Sequence, residues 1–332
     1  MTRDSRYFLL LIFLFVVISG CRQSGKSTIS GVQEIEPVII RTYGEDLFAL
    51  DPLNPEPGLD SLIDKYHFFL GKEIDTLSLL QLRDFILDPL NRQLAEDCKK
   101  QYPDALFLQR ELGMLFGQCV KHIPGFRQPE VYTYISGLLY ESPVQYLDSV
   151  LIIGLDMFLG YDYPAYRAVG LPVYLTRRME SVNILPECAR QVASSLIPPE
   201  TAPKILLDHM ILHGKVLYAM DLLLPETPDS LKTGYTAAQS EWCLDNEKDL
   251  WQLLIDQELL FSPDPLVIRK FIQDGPFTAG MPEGAPAMLG KWTGWQIVRS
   301  YMNKHRDVTL EQLFKTTDSQ VILSESGYKP KK

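Results

Sequence analysis

The first half of the chain carries short apolar runs of the kind that form strands. Residues 38–43 are rich in β-branched side chains and precede turn-forming residues, and 131–140 alternate β-branched and aromatic side chains. The apolar run 149–155 predicts a strand at the centre of a sheet, buried on both faces. Because only 141–144 separate the second run from the apolar segment that follows, we expect these two to form a hairpin.

Helical periodicity dominates the rest of the chain. Between residues 77 and 122 apolar side chains recur at helical spacing, and from Arg177 onward the pattern is again helical, in pieces separated by proline-rich turns. The predicted class is therefore α+β, mostly helical with a small mixed sheet in the first half. We expect one globular domain over 38–328, with the sheet in about 38–175 and helices alone in about 176–328.

The N-terminus has the pattern of an export signal that ends in a lipid-attachment site. A short basic stretch, MTRDSR, precedes the apolar run YFLLLIFLFVVISG, which is as long as the apolar core of a signal peptide. The letters ISGC at 18–21 match the cleavage box of bacterial lipoproteins, in which the cysteine becomes the acylated first residue. We therefore expect 1–20 to be removed, Cys21 to carry acyl chains, and 21–37 to be a polar tether.

The same stretch also fits a phosphate-binding loop, G-x-x-x-x-G-K-[ST], with Gly20 followed by GKS at 25–27. Such a loop needs a strand before it and a helix after it. Here a signal-like apolar run precedes it, and the segment that follows lacks helical periodicity and soon reaches Pro37. Cleavage before Cys21 would also remove Gly20, so we expect no nucleotide site.

The acidic charge balance of the chain argues against two classes of partner, nucleic acids and anionic lipids. The formal net charge is −10, and the chain contains no basic run, which argues against binding to nucleic acid. An acidic surface is also repelled by anionic lipid, so acyl chains rather than charge would provide the membrane attachment. After the N-terminal run, no segment approaches the roughly 18 apolar residues of a transmembrane helix.

Four cysteines remain after the expected lipidation site: Cys98, Cys119, Cys188 and Cys243. An exported protein can form disulfides, and four cysteines allow three pairings. Their spacing includes no C-x-x-C pair, so a zinc knuckle is not predicted. Two disulfides and four buried thiols are both compatible with the sequence.

The sharpest candidate for chemistry is a histidine pair in the segment LLDHMILHGKVLYAMD. His209 and His213 are four residues apart, which places both imidazoles on one face of a helix at metal-chelating spacing. The zinc-peptidase motif H-E-x-x-H has this spacing and a glutamate general base beside its first histidine, but Met210 occupies that position here. A third ligand could come from Glu247, 34 positions after His213.

Two interpretations of this pair stay open. In the first, His209 and His213 are structural residues of a packed helix, with their imidazoles satisfied by hydrogen bonds. In the second, they bind zinc together with Glu247. We expect the structural role and no cofactor, because His209 and His213 share a helical stripe with Val216 and Met220. We expect no catalytic residue, because the thioether of Met210 cannot take a proton from water as a carboxylate would.

Several separated motifs resemble the gliding-motility lipoproteins of the GldB type, found in Bacteroidetes-like bacteria. The resemblance rests on the cleavage box at Cys21 and on the segments IIGLDMFLGYDYPAY, HGKVLYAMDLLLP, NEKDLW, GKWTGWQIVRSYM and ILSESGYKP. It implies a cell-envelope lipoprotein needed by the machinery that moves surface adhesins and associated with type IX secretion. The family is also distantly similar to gluzincin-type zinc peptidases, which implies a zincin-like architecture with an eroded metal motif.

The expected function is therefore a non-catalytic one. The chain would be a lipid-anchored envelope component that supports gliding motility and type IX secretion by binding other envelope proteins. Because the residues just after Cys21 are not acidic, the expected location is the outer membrane, facing the periplasm. Two alternatives remain: a zinc-dependent peptidase with a degenerate motif at 209–213, and an envelope solute-binding lipoprotein, for which the aromatic segment GYDYPAY is the only support.

Overall fold

A four-stranded sheet lies in the first half of the chain. The computed structural model describes residues 37–104, 106–147 and 149–330. The strands are β1 (Ile40–Thr42), β2 (Glu130–Tyr134), β3 (Val144–Leu147) and β4 (Val150–Gly154). Their order in the sheet is β1-β2-β4-β3, with β1, β2 and β4 parallel and β3 antiparallel to β4.

The strand predicted at the centre of the sheet is β4. All its residues are buried, because helices or loops cover both faces of the sheet. Its side chains alternate between two hydrophobic clusters: Leu151 and Ile153 belong to the large core, and Val150 and Ile152 to a smaller one that also contains Tyr132. The sheet therefore joins the two clusters.

The predicted hairpin is wrong, because β2 and β4 run parallel. The hairpin is instead β3–β4, and β3 is too short and too weakly alternating to stand out in the sequence. The fully buried carboxylate of Asp156 accepts hydrogen bonds from the N–H groups of Ser136 and Leu138, at 2.8 and 2.9 Å, and from the Ser136 hydroxyl. These hydrogen bonds hold the residues that follow β2 away from the sheet. The next segment to enter the sheet is β3, which then forms the hairpin with β4.

Helices make up most of the remainder. Those before β2 are α1 (Tyr43–Phe48), α2 (Glu56–Lys65), α3 (His67–Leu70), α4 (Thr76–Leu87), α5 (Pro89–Gln101) and α6 (Leu106–His122). Those after β4 are α7 (Pro164–Ala168), α8 (Val173–Thr176), α9 (Ile184–Ser194), α10 (Leu206–Leu223), α11 (Asp229–Thr233), α12 (Ala237–Asp245), α13 (Glu247–Asp256), α14 (Pro265–Ile272), α15 (Leu289–Lys304), α16 (Leu310–Lys315) and α17 (Ser319–Ser326). The α+β class, mostly helical with a small mixed sheet in the first half, is confirmed. A zincin-like architecture stays a prediction.

The four cysteines expected to be either paired or buried are all free thiols in the core: Cys98, Cys119, Cys188 and Cys243. Burial in apolar surroundings raises the pKa of each thiol, and that of Cys119 reaches about 12. They are therefore protonated at neutral pH and act as small apolar side chains.

Two predictions concern residues outside the described part of the chain. The signal peptide 1–20 and the lipidated Cys21 fall entirely outside it, as does the tether 21–37 apart from Pro37. Among the described residues, no helix combines the length and the apolar character needed to cross a membrane.

Candidate functional site

The predicted histidine helix is α10, and its packing against α15 positions both imidazoles. The helices cross where Gly214 faces Gly294: a Cβ on Gly294 would overlap the backbone carbonyl of Met210, and one on Gly214 would overlap the backbone of Gly294. Met210 is therefore fully buried against α15. His209 and His213 lie to one side of this contact and are half-buried.

His213 lines a cavity of about 250 Å³ enclosed by α9, α10, α15 and the loops around them. Three cationic side chains line the same cavity: Arg178, Arg190 at the middle of α9, and Lys291 at the start of α15. Two carboxylates, Glu187 and Asp274, complete its charged groups. Sequence analysis had not selected any of these five residues.

The two arginines are paired, whereas the lysine is not. Arg178 forms an ion pair with Asp274. The Nε of Arg190 lies 3.3 Å from a carboxylate oxygen of Glu187. Within the described residues the Lys291 ammonium makes no hydrogen bond and no ion pair closer than 4 Å. Three cations against two carboxylates leave one positive charge without a partner in the cavity.

Burial and neighbouring charge alter the titration of this site. Burial, reinforced by Arg190, lowers the pKa of Lys291 to about 8. Burial, reinforced first by Lys291 and then by His209 and Arg190, lowers the pKa of His213 to about 3. Burial also lowers the pKa of His209. At neutral pH both imidazoles are therefore uncharged, and Lys291 is mostly protonated.

The third candidate metal ligand lies elsewhere. Glu247, at the start of α13, is buried and accepts a hydrogen bond from the Tyr328 hydroxyl at 2.7 Å. Over residues 37–104, 106–147 and 149–330, no three His, Cys, Asp or Glu side chains form a group that could hold a metal ion. The structure thus places His209 and His213 on one helix and does not bring Glu247 into a metal-holding group with them.

The cavity continues into two neighbouring depressions, and we call the whole the trough. On one side, Arg178, Glu187 and Arg190 also line a cavity of about 170 Å³ that reaches Glu141. On the other, Asp274 and Lys291 also line an open depression of about 660 Å³. His209 lies in this open part, with walls and rim formed by Lys204, Arg269, Pro203, Pro263 and Pro265. Along the trough, five cationic side chains face three carboxylates, although the chain as a whole is acidic.

A local signal for this site was present in the sequence. Lys291 lies in the first turn of α15, whose following residues include the buried Trp292 and Trp295. Lysine is seldom buried, so a lysine next to buried tryptophans indicates either a helix end or a charged group directed into a cavity. Arg178 and Arg190 carry no comparable signal, because their approach to Lys291 depends on tertiary packing.

Comparison with known proteins identifies the family. The family model described as gliding motility protein GldB matches residues 24–330. Searches of curated proteins and of solved structures gave no match. The match covers nearly the whole chain, including α10, α15 and every residue of the trough, and the resemblance found in the sequence is confirmed. The chain belongs to the GldB family of gliding-motility lipoproteins, which are proteins of the cell envelope.

Proposed function

We propose that this chain acts in the gliding-motility machinery by binding a partner protein in the trough, without hydrolysing it. The observation that carries the proposal is the unpaired ammonium of Lys291 in the cavity that His213 lines. A metallopeptidase needs a third ligand and a carboxylate base at such a place. In this chain the two carboxylates of the cavity, Glu187 and Asp274, are paired with arginines. The side chain next to His209 is the buried thioether of Met210.

The residues of the trough do not fit a zinc ion. Two neutral imidazoles are available as ligands, but after burial, the charges of Lys291 and Arg190 also lower the pKa of His213, as expected where cations contribute a positive potential. The same potential disfavours a divalent cation. Positive charge in a concave site suits an anionic group of a protein ligand instead.

The attachment to the membrane is the second part of the proposal. Acyl chains on Cys21 would hold the folded domain at the periplasmic face of the outer membrane, with 21–37 as the tether. Other envelope proteins of the gliding or secretion machinery are then the partners within reach. Replacing Cys21 with alanine should abolish acylation, leave residues 1–20 uncleaved and stop gliding, and normal gliding of the uncleaved variant would contradict this part.

The binding role can be tested by filling the cavity. Ser194, at the end of α9, lines it, and the indole of Ser194→Trp would occupy most of its space. Cells whose only copy carries Ser194→Trp should lose gliding while the protein stays folded and attached. Cells with Ser61→Trp, at an exposed position of α2, should glide normally. Normal gliding of a folded Ser194→Trp protein would contradict the proposal.

Elemental analysis separates this role from catalysis. We expect purified protein that lacks residues 1–21 to contain no stoichiometric zinc. About one zinc per chain, lost in His213→Gln, would favour the peptidase alternative over the binding role.

A further inference from the structure

We infer that the trough recognises a carboxylate group of its partner, with the ammonium of Lys291 as the main donor and the guanidinium of Arg190 as the second. This inference rests on the proposed function, because it specifies the chemistry of the ligand that the trough binds.

The free donors of the cavity support a carboxylate. The Lys291 ammonium has no hydrogen-bond partner within the described residues, so its three N–H bonds are available to a ligand. The Arg190 guanidinium donates to Glu187 and to the backbone carbonyl of Lys232, at 2.6 Å, and still has N–H groups to spare. The groups that accept, Glu187 and Asp274, are already paired with arginines. The cavity therefore offers charged donors for which no unpaired carboxylate is left.

The charge of the cavity favours a monoanion. Three cations and two carboxylates leave one positive charge, which one carboxylate would neutralise. A phosphate dianion would bring one negative charge more than the cavity can balance, next to Glu187 and Asp274. A charge that is half-buried and unpaired also costs free energy, and a bound carboxylate would remove that cost.

The shape of the trough indicates how the rest of the ligand would lie. The cavity holds only a few atoms beyond the carboxylate, but Lys291 also lines the open depression of about 660 Å³. Three prolines form part of that depression, namely Pro203, Pro263 and Pro265. A peptide could place its carboxylate on Lys291 and run outward over these apolar rings. The carboxylate could belong either to the end of a chain or to an acidic side chain.

The test uses short peptides and the NMR signal of His213. The protein has five histidines, so labelled imidazoles give few signals, and His213→Gln assigns the one in the cavity. The probes are acetyl-Ser-Ala-Ser-Ala with a free C-terminus, its C-terminal amide, and the amide with aspartate at the second position. Inorganic phosphate is a fourth probe.

We expect the carboxylate peptides to shift the His213 signal and the uncharged amide to leave it unchanged at the same concentration. The stronger of the two carboxylate peptides shows whether a chain end or an acidic side chain is preferred. Lys291→Met should weaken their binding at least tenfold, whereas Lys248→Met, at an exposed position of α13, should leave it unchanged.

Two results would overturn the inference: equal shifts with the amide, or equal affinity in Lys291→Met. Tighter binding of phosphate than of either carboxylate peptide would overturn the choice of a monoanion. If the peptides fail while Ser194→Trp still abolishes gliding, the carboxylate anchor is wrong and the binding role stands. If Ser194→Trp cells glide, the binding role itself fails, whatever the peptides do.

Discussion

Gly214 of α10 and Gly294 of α15 face each other with no space for a Cβ on either residue. His213 immediately precedes the first glycine, and Lys291 lies three residues before the second. The close approach of the two backbones therefore brings the start of α15 to the side of α10 that carries the imidazoles. The position of Lys291 in the cavity that His213 lines is a consequence of this helix crossing.

The glycine contact gives the first prediction. Gly294→Ala should destabilise the protein by about 3 kcal/mol or more, because the new methyl group would overlap the backbone carbonyl of Met210, which cannot rotate away. Urea denaturation measures the loss. The matched control is Gly113→Ala in α6, where the added Cβ would meet its nearest neighbour, a Val38 methyl group, at an ordinary 3.9 Å. That change should be neutral or stabilise by up to about 1 kcal/mol, and equal losses in the two variants would contradict the crossing.

The unpaired lysine gives the second prediction. Because the folded-state pKa of Lys291 is about 8, below its usual 10.5, the folded protein bears a cost for the charged form at neutral pH. Lys291→Met should therefore stabilise the protein by about 1–2 kcal/mol at pH 7, after allowance for partial exposure.

The pH dependence of the stabilisation by Lys291→Met shows whether it comes from the removed charge or from packing. In the wild type, stability should rise as the pH increases from about 8 towards 10.5, because the buried ammonium loses its proton in the folded state first. The advantage of Lys291→Met should shrink over the same window. Thermal unfolding from pH 6 to 10.5 measures it, with Lys248→Met as the control. An advantage that is constant with pH would mean that packing, and not charge, produces it.

The sequence predicted the fold better than it predicted the site. The apolar run of β4 and the periodic segments that became helices were visible because burial imposes local patterns. The hairpin was missed because the strand that pairs antiparallel with β4 has only four residues, and because the hydrogen bonds of Asp156 act on residues about 20 positions away. Both features depend on contacts that no local pattern records.

The site shows the same limit more strongly. His209 and His213 were selected because their spacing is local to one helix. Lys291 lies 78 positions after His213, and its approach depends on the glycine crossing, which gives no signal in hydrophobic periodicity. Glu247 was selected by distance along the chain, yet its carboxylate is engaged by Tyr328. Spacing along the sequence could not distinguish a metal-binding glutamate from one that is hydrogen-bonded to a tyrosine.

The third prediction concerns the acid stability of the protein. The pKa of His213 is lowered to about 3 in the folded state, so unfolding allows the imidazole to take up a proton at any pH below about 6.5. Stability should therefore be complete above pH 6.5 and fall as the pH decreases towards 3. In His213→Gln this part of the loss should be absent, which amounts to less than about 1.4 kcal/mol for each pH unit. Urea titrations at pH 7, 6, 5 and 4 measure it against His67→Gln, an exposed position. Identical slopes in the two variants would show that folding does not lower the pKa of His213.

The last prediction follows from the charge network that supports Arg190. Asp221 of α10 accepts hydrogen bonds from the Trp295 indole at 2.9 Å, from Arg299 at 2.7 Å and from the Lys232 ammonium at 2.9 Å. Lys232 is buried, and its backbone carbonyl accepts the hydrogen bond from Arg190. Asp221 thus holds α11 in place through Lys232. The backbone carbonyl of Lys232 in turn orients the guanidinium of Arg190.

Asp221→Asn should destabilise the protein by about 2 kcal/mol, because it removes the nearer of the two carboxylates that the buried Lys232 and the partly buried Arg299 share, and only Asp229 is left to pair with both. At a temperature where the variant is still folded, it should also bind the carboxylate peptides less tightly, since Arg190 loses its fixed support. Glu311→Gln, which breaks the exposed ion pair with Lys315 on α16, should cost less than about 0.5 kcal/mol and leave peptide binding unchanged. If a folded Asp221→Asn protein binds the peptides as tightly as the wild type, then Arg190 is not oriented through Lys232, and Lys291 alone provides the anchor.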